Sequence, residues 1–266
     1  MTTIFRDIEV TPISWRECGA GEAVIFLHAM VTSSTGWDPQ MQVLAADYRC
    51  IAWDMPGFGR SAPPEKGAGF DEVLRALVRF VTETLGLTKA HFVGLSVGGM
   101  ILQHLAVSHP ALVRSMTLLD CSPKFGFGGN SNAAEFVAWV NSQLDSESQS
   151  AFNESMIRAI TAPIASRQAI QSAIAAMGRA TREGLEFAAH LIATHDALDL
   201  LPRITCPTLV MAGALDSETP PAYARAIAAG IPGANLSIIP NAGHIANLEA
   251  PEAVTDRLRV FLAHGL

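Results

Sequence analysis

The chain has 266 residues, 49% of them hydrophobic and 16% charged, with a formal net charge of -7 at neutral pH. This composition excludes a disordered chain and suffices for one large core with a smaller attached unit, while the lack of any Lys/Arg block speaks against nucleic acid or anionic lipid as a partner. The opening "MTTIFRDIEVTPISW" lacks the features of a signal peptide, no stretch approaches the ~18 apolar residues of a membrane span, and Cys18, Cys50, Cys121 and Cys206 form no Cys-x-x-Cys pair, so a cytoplasmic chain with reduced cysteines, no metal and no cofactor is expected.

In chain order, "FRDIEVTPISWREC" reads as an antiparallel hairpin at one edge of a sheet. The short, nearly continuous apolar runs "AVIFLHA", "RCIAWDM", "HFVGL", "SMTLLDC", "PTLVMAG" and "LSIIP" suit strands buried on both faces of a parallel sheet. Between them, "DEVLRALVRFVTETLG" predicts a helix capped at Asp71 and ended by Gly86, and "PEAVTDRLRVFLAHG" predicts another with Pro251 in its first turn. Strand and helix alternate, which is the signature of an α/β sheet covered by helices.

The alternation stops between Lys124 and Arg203, where four helical patterns follow a flexible approach, "KFGFGGNSN". The expected organisation is a core formed by residues 1–123 and 204–266, interrupted by a helical cap over 124–203. The fold class is α/β, a mostly parallel sheet flanked by helices with an inserted helical cap.

After the run "HFVGL" comes Gly94-Leu95-Ser96-Val97-Gly98, then a helical pattern. A G-x-S-x-G sequence between strand and helix is a nucleophile elbow: the sharp turn exposes the serine hydroxyl, and the small residues let strand and helix approach. A serine hydroxyl needs a base, and the base needs an orienting acid. Asp216, just after "PTLVMAG", and His244, just after "LSIIP", follow in the order Ser, Asp, His and lie where strand-end loops would carry them to Ser96. Asp120, at the end of "MTLLDC", is the rival acid. The anion site for the tetrahedral intermediate needs two backbone amides: Val97, after the nucleophile, and Met30, in the loop "LHAMVTSSTGW".

"GFGRSA" fits a loose dinucleotide pattern, but Pro63 and Pro64 prevent the helix that would receive a pyrophosphate. Asp54 and this loop are instead expected to hold a tight connection beside the site. His190 and His195 fall in the insert and read as solvated helix positions that could touch substrate. Trp139, the insert's single tryptophan, is the candidate substrate-binding residue there, with cap-to-core packing as its alternative.

Taken together, "LHAMVTSSTGW", "DMPGFGRS", "GLSVGGM", "AGALDSETPP" and "NAGHIANLEAPEAV" resemble the α/β-hydrolase superfamily over the whole chain outside the insert. More narrowly, "GLSVGGMILQHLAVSHPALVRSMTLLD" and "GHIANLEAPEAV" are similar to the 3-oxoadipate enol-lactonase group of esterases and lactonases. The resemblance implies a cap over the sheet, a Ser96, Asp216, His244 triad, and hydrolysis of a small ester or lactone. The chain departs from it at His28-Ala29, where His-Gly is usual, which turns the expectation from a carboxylated enol-lactone toward a neutral ester or lactone. An enol-lactone of a dicarboxylic acid would need a cation in the pocket, for which Arg158, Arg167, Arg179 and Arg182 are candidates. A C–C bond hydrolase of ring-cleavage products, or a ligand receptor on the same fold, are the alternatives. Oligomeric state is left open by the sequence.

Overall fold

Each apolar run forms a strand because the sheet is covered on both faces and offers no solvated side for a polar alternation. The strands are β1 (Arg6–Ile8), β2 (Trp15–Cys18), β3 (Glu22–Leu27), β4 (Tyr48–Trp53), β5 (Ala90–Leu95), β6 (Val113–Leu119), β7 (Thr208–Gly213) and β8 (Asn235–Ile239). They lie in one sheet in the order β1-β2-β4-β3-β5-β6-β7-β8, antiparallel for β1 with β2 and β2 with β4, and parallel elsewhere. This computed structural model describes residues 3–9, 12–129, 131–146 and 148–264. Every residue of β5 and of β7 is buried. Each fully buried aliphatic or Phe side chain there contributes about 1.5–3 kcal/mol.

The chain runs from β3 to β4 on one side and then crosses to β5 on the other. A crevice therefore opens at the carboxyl ends of β3 and β5, the place where open α/β sheets bind ligands. Helices α1 (Asp38–Leu44), α2 (Phe70–Arg79) and α3 (Val97–Ser108) connect the first strands. Helix α2 begins one residue before the predicted cap: Gly69 is the N-cap, its amide donates to Glu72 Oε2 at 3.0 Å, and Asp71 sits in the first turn. Its α-helical course stops at Arg79 and widens into a π-turn over Phe80–Thr84 before Gly86 ends it with φ +67°.

Between β6 and β7 stand α4 (Ala133–Ser146), α5 (Gln149–Ile160), α6 (Arg167–Met177) and α7 (Arg182–Thr194). Ser148, Ser166 and Thr181 cap the last three, each side chain accepting from the amide three residues on. Helices α8 (Pro221–Gly230), α9 (Ala246–Glu249) and α10 (Pro251–His264) complete the core.

Two clamps fix α5–α7 to the core, and a third closes the base of the insert. The 57–61 loop forms the first: the Gly59 amide donates to Arg179 O at 2.9 Å, and the Thr181 amide donates to Gly57 O at 2.8 Å. Here Gly57, at φ +85°, meets Gly184 so closely that a Cβ on either would overlap the other's backbone. Glu249 makes the second, accepting from the amides of Ala162 at 2.8 Å, Gly243 at 3.0 Å and Ile245 at 3.2 Å. The third joins the two limbs of the insert. The Phe125 amide donates to His195 O at 2.9 Å and the Ala197 amide to Pro123 O at 2.8 Å, with Lys124 paired to Asp196 at 2.7 Å.

Candidate active site

Ser96 occupies the turn between β5 and α3 with φ 53° and ψ -120°, a conformation that a non-glycine residue holds only when its surroundings dictate it. Its amide donates to Leu119 O at the end of β6, at 2.9 Å. A Cβ on Gly94 would stand 2.6 Å from the Gly98 carbonyl carbon, and one on Gly98 would run into the Leu27 carbonyl oxygen. The two glycines are therefore what lets α3 approach β5 and β3 closely enough to form the elbow.

The structure brings the three side chains expected from the sequence together. Ser96 Oγ lies 3.0 Å from His244 Nε2, and His244 Nδ1 lies 3.0 Å from Asp216 Oδ2. Asp216 is held in turn: Thr219 Oγ1 donates to Oδ2 at 2.7 Å, and the amides of Glu218 and Thr219 donate to Oδ1 at 2.8 and 3.0 Å. All three side chains are buried. Burial alone would push His244 down, but the Asp216 carboxylate, assisted by Asp120 and Glu218, raises it to about 9. Burial works against the Asp216 charge, yet the imidazole and the Thr219 bonds hold that carboxyl below its usual range. A hydroxyl–imidazole–carboxylate chain with this polarity can move a proton off the serine and return it to a leaving group.

Asp120 stands apart from this chain. It is fully buried at φ 45°, with Oδ1 accepting from the Gly213 amide at 2.7 Å and Oδ2 from the Ala246 amide at 3.1 Å. Its oxygens tie the end of β7 to the loop after His244. Burial, and then the Asp216 charge, push its carboxyl well above the usual range.

Val97 opens α3, so its amide has no intrahelical acceptor, and Met30 lines the same cavity as Ser96. The Met30 loop is fixed by residues that the sequence reading passed over or gave only a general role. The Met55 amide donates to His28 Nε2 at 2.9 Å, which leaves the ring proton on Nδ1 to donate to Ala29 O at 2.8 Å. Burial keeps His28 low and hence neutral. Asp54 accepts from the Ser34 amide at 2.9 Å and from Ser14 Oγ at 3.0 Å, with Arg179 Nη2 at 3.4 Å. The "DMPGFGRS" stretch thus holds both the Met30 loop and the insert.

Above Ser96 is a cavity of about 420 Å³, lined from the core by Met30, Ser96 and His244 and from the insert by Phe136, Ile160 and Ile192 among others. Trp139 is not part of that lining. It is 45% exposed and stacks on Phe136 at 6.4 Å, so Phe136, one turn earlier on α4, takes the place expected for it. None of the four candidate arginines reaches the cavity: Arg158 and Arg167 line a separate depression, Arg179 faces Asp54, and Arg182 pairs with Asp145 and Glu186.

His190 is exposed, whereas His195 is buried, contrary to the solvated position expected. His195 Nε2 donates to Ser122 O at 2.9 Å, so its Nδ1 accepts from His104 Nε2 at 3.2 Å. Burial and the His104 neighbour push His195 down to about 3. Among the described residues, no group of three or more His, Cys, Asp or Glu could hold a metal ion, and no helix is long and apolar enough to cross a membrane.

A family model described as the alpha/beta hydrolase fold matches residues 22–251. The pimeloyl-acyl-carrier-protein methyl ester esterase of Vibrio vulnificus is 23% identical over 256 residues, covering 94% of this chain and 98% of that protein. A thermophilic esterase from Thermogutta terrifontis, solved with malate bound, superposes with a TM-score of 0.86 at 27% identity, covering 98% of this chain and 99% of that one. The enol-lactonase from Burkholderia xenovorans superposes with a TM-score of 0.83, covering 97% and 100%; at 21% identity it shares the fold and nothing finer.

Proposed function

The chain belongs to the α/β-hydrolase fold family, and from that premise we propose that it is a cofactor-independent serine hydrolase of a small carboxylic ester or lactone without a free carboxylate. The observation that carries this reading is the unbroken chain Ser96–His244–Asp216, with 3.0 Å at each link. Ser96 Oγ attacks the carbonyl carbon as His244 Nε2 takes its proton, and the Met30 and Val97 amides hold the developing oxyanion. The carbonyl re-forms, the alcohol leaves with the proton from His244, and water then repeats the sequence on the acyl-enzyme. Asp216 keeps the imidazole in the Nδ1–H tautomer and stabilises its charged form.

Among the described residues no lysine or arginine lines the cavity, which supports a substrate without a carboxylate. Esterase activity in the two relatives named as esterases supports the bond type. The partner in this reading is a small molecule met in the cytoplasm.

The test is a fluorophosphonate label followed by a panel of a short aryl ester, a neutral lactone, a carboxylated enol-lactone and a ring-cleavage product. Labelling at Ser96 with turnover of the ester or neutral lactone is expected. A preference for the carboxylated compound above about 100-fold, equivalent to roughly 2.7 kcal/mol in transition-state binding, overturns the substrate class. Turnover confined to the ring-cleavage product would assign C–C hydrolysis instead.

A further inference from the structure

Resting on the reading of Ser96 as the nucleophile, we infer that the mouth of its cavity takes a positively charged substituent, so that the substrate is an ammonium-bearing ester or lactone. Glu135, in the first turn of α4, and Glu218, two residues after Asp216, both line the cavity, and both are exposed at its solvent side. Among the described residues the lining contains no lysine or arginine, and its basic group, His244, is engaged by Asp216 at 3.0 Å. Neighbouring cations are engaged elsewhere: Lys124 with Asp196 at 2.7 Å, and Arg182 with Asp145 at 2.7 Å and Glu186 at 2.8 Å. Glu135 Oε1 accepts from Asn132 Nδ2 at 3.1 Å in a helix cap, which uses one of its oxygens and orients the other. The Glu218 carboxylate acts through space on His244, and among the described residues no side-chain hydrogen bond or salt bridge ties it down.

The rest of the mouth fits the same ligand. Phe125, Phe136 and Tyr223 line it, with Phe125 and Phe136 centred 5.5 Å apart and Tyr223 held edge-on by Phe127 at 5.3 Å. Aromatic faces attract a quaternary or primary ammonium through the ring quadrupole, and carboxylates around a low-dielectric cavity concentrate cations and repel anions. A neutral substituent would meet the same rings and the hydroxyl and amide groups of the lining without the attraction of the two carboxylates. A carboxylate at the mouth would face two like charges, and the basic group of the lining, His244, is already paired with the Asp216 carboxylate.

The experiment compares kcat/KM for three aryl esters whose acyl chains have equal length and end in trimethylammonium, tert-butyl or carboxylate. The order expected is cation over neutral over anion, each step on the order of 10-fold at low salt and shrinking as ionic strength rises. Tetraethylammonium is expected to compete with the cationic ester. In E135Q/E218Q the ratio of cationic to neutral ester should fall toward one. Turnover of the neutral ester with no cation preference, or a ratio that survives both substitutions, overturns this inference and leaves the hydrolase reading standing. Failure of all three esters together with no label on Ser96 overturns the hydrolase reading, and this inference with it.

Discussion

The strand ends and the inserted helices are built by opposite rules. All six residues of β5 are buried, and the elbow that follows is boxed in by the backbones of β3, β5 and β6. In α4, fourteen residues long, Val140 is the buried one. The first region places the Ser96 hydroxyl through main-chain contacts that no side-chain change can move far, whereas the second shapes the cavity wall with side chains that are half in solvent. Substitutions at the strand ends should therefore change rate, and substitutions in α4 should change preference.

The largest effect should come from Ser96→Ala, which is expected to lower kcat by roughly 10⁴ to 10⁶ and abolish fluorophosphonate labelling with Tm little altered. Retained labelling at another serine would break the comparison at its centre. Asp216→Asn should cost on the order of 10⁴ in kcat by favouring the wrong tautomer. Its pH profile should move as well. Only neutral His244 accepts the serine proton, and Asp216 raises that ring to about 9, so wild-type kcat/KM should climb with pH toward about 9. Without the carboxylate, burial pulls the ring down, and the rising limb should shift to lower pH. A profile unmoved by the substitution would mean that Asp216 does not set the base.

Asp120→Asn should act on stability more than rate, since an amide nitrogen would face a backbone amide that now has an acceptor; a loss of about 1–3 kcal/mol is expected by denaturant titration. If it cost more kcat than Asp216→Asn, the acid role would pass to Asp120. Gly184→Ala wedges a methyl into Gly57, and it should lower stability by about 1–3 kcal/mol and raise KM with a smaller change in kcat. Trp139→Ala, at a half-exposed position outside the cavity, should change stability by no more than about 0.5 kcal/mol and leave the ranking of substrates as it was. A reordered ranking would return Trp139 to the binding surface.

This asymmetry also decides what was legible in the sequence. The strands could be read because burial on both faces leaves an unbroken apolar run, and Ser96 because steric relief at the elbow demands glycine at Gly94 and Gly98. Asp216 and His244 were legible because each follows such a run directly. The side of α4 on which Trp139 falls was not legible, because helical spacing identifies a helix but not its rotation over the cavity, which packing against α7 decides. His28 and His195 carried no signal of their own, since their partners, the Met55 amide and His104, are 27 and 91 residues away. The cap at Gly69 was passed over because the side chain that completes it belongs to Glu72.

The clamps described above leave α4 without a backbone hydrogen bond to the sheet or its loops among the described residues. Heredity can exploit that gap. A mutation in α4 edits Glu135 or Phe136 without passing through Gly57, Glu249 or the elbow, so a lineage can reshape the cavity wall along a stretch of chain whose changes leave those backbone contacts in place. Ser96, set in a turn that the backbones of β3, β5 and β6 enclose, inherits no such latitude.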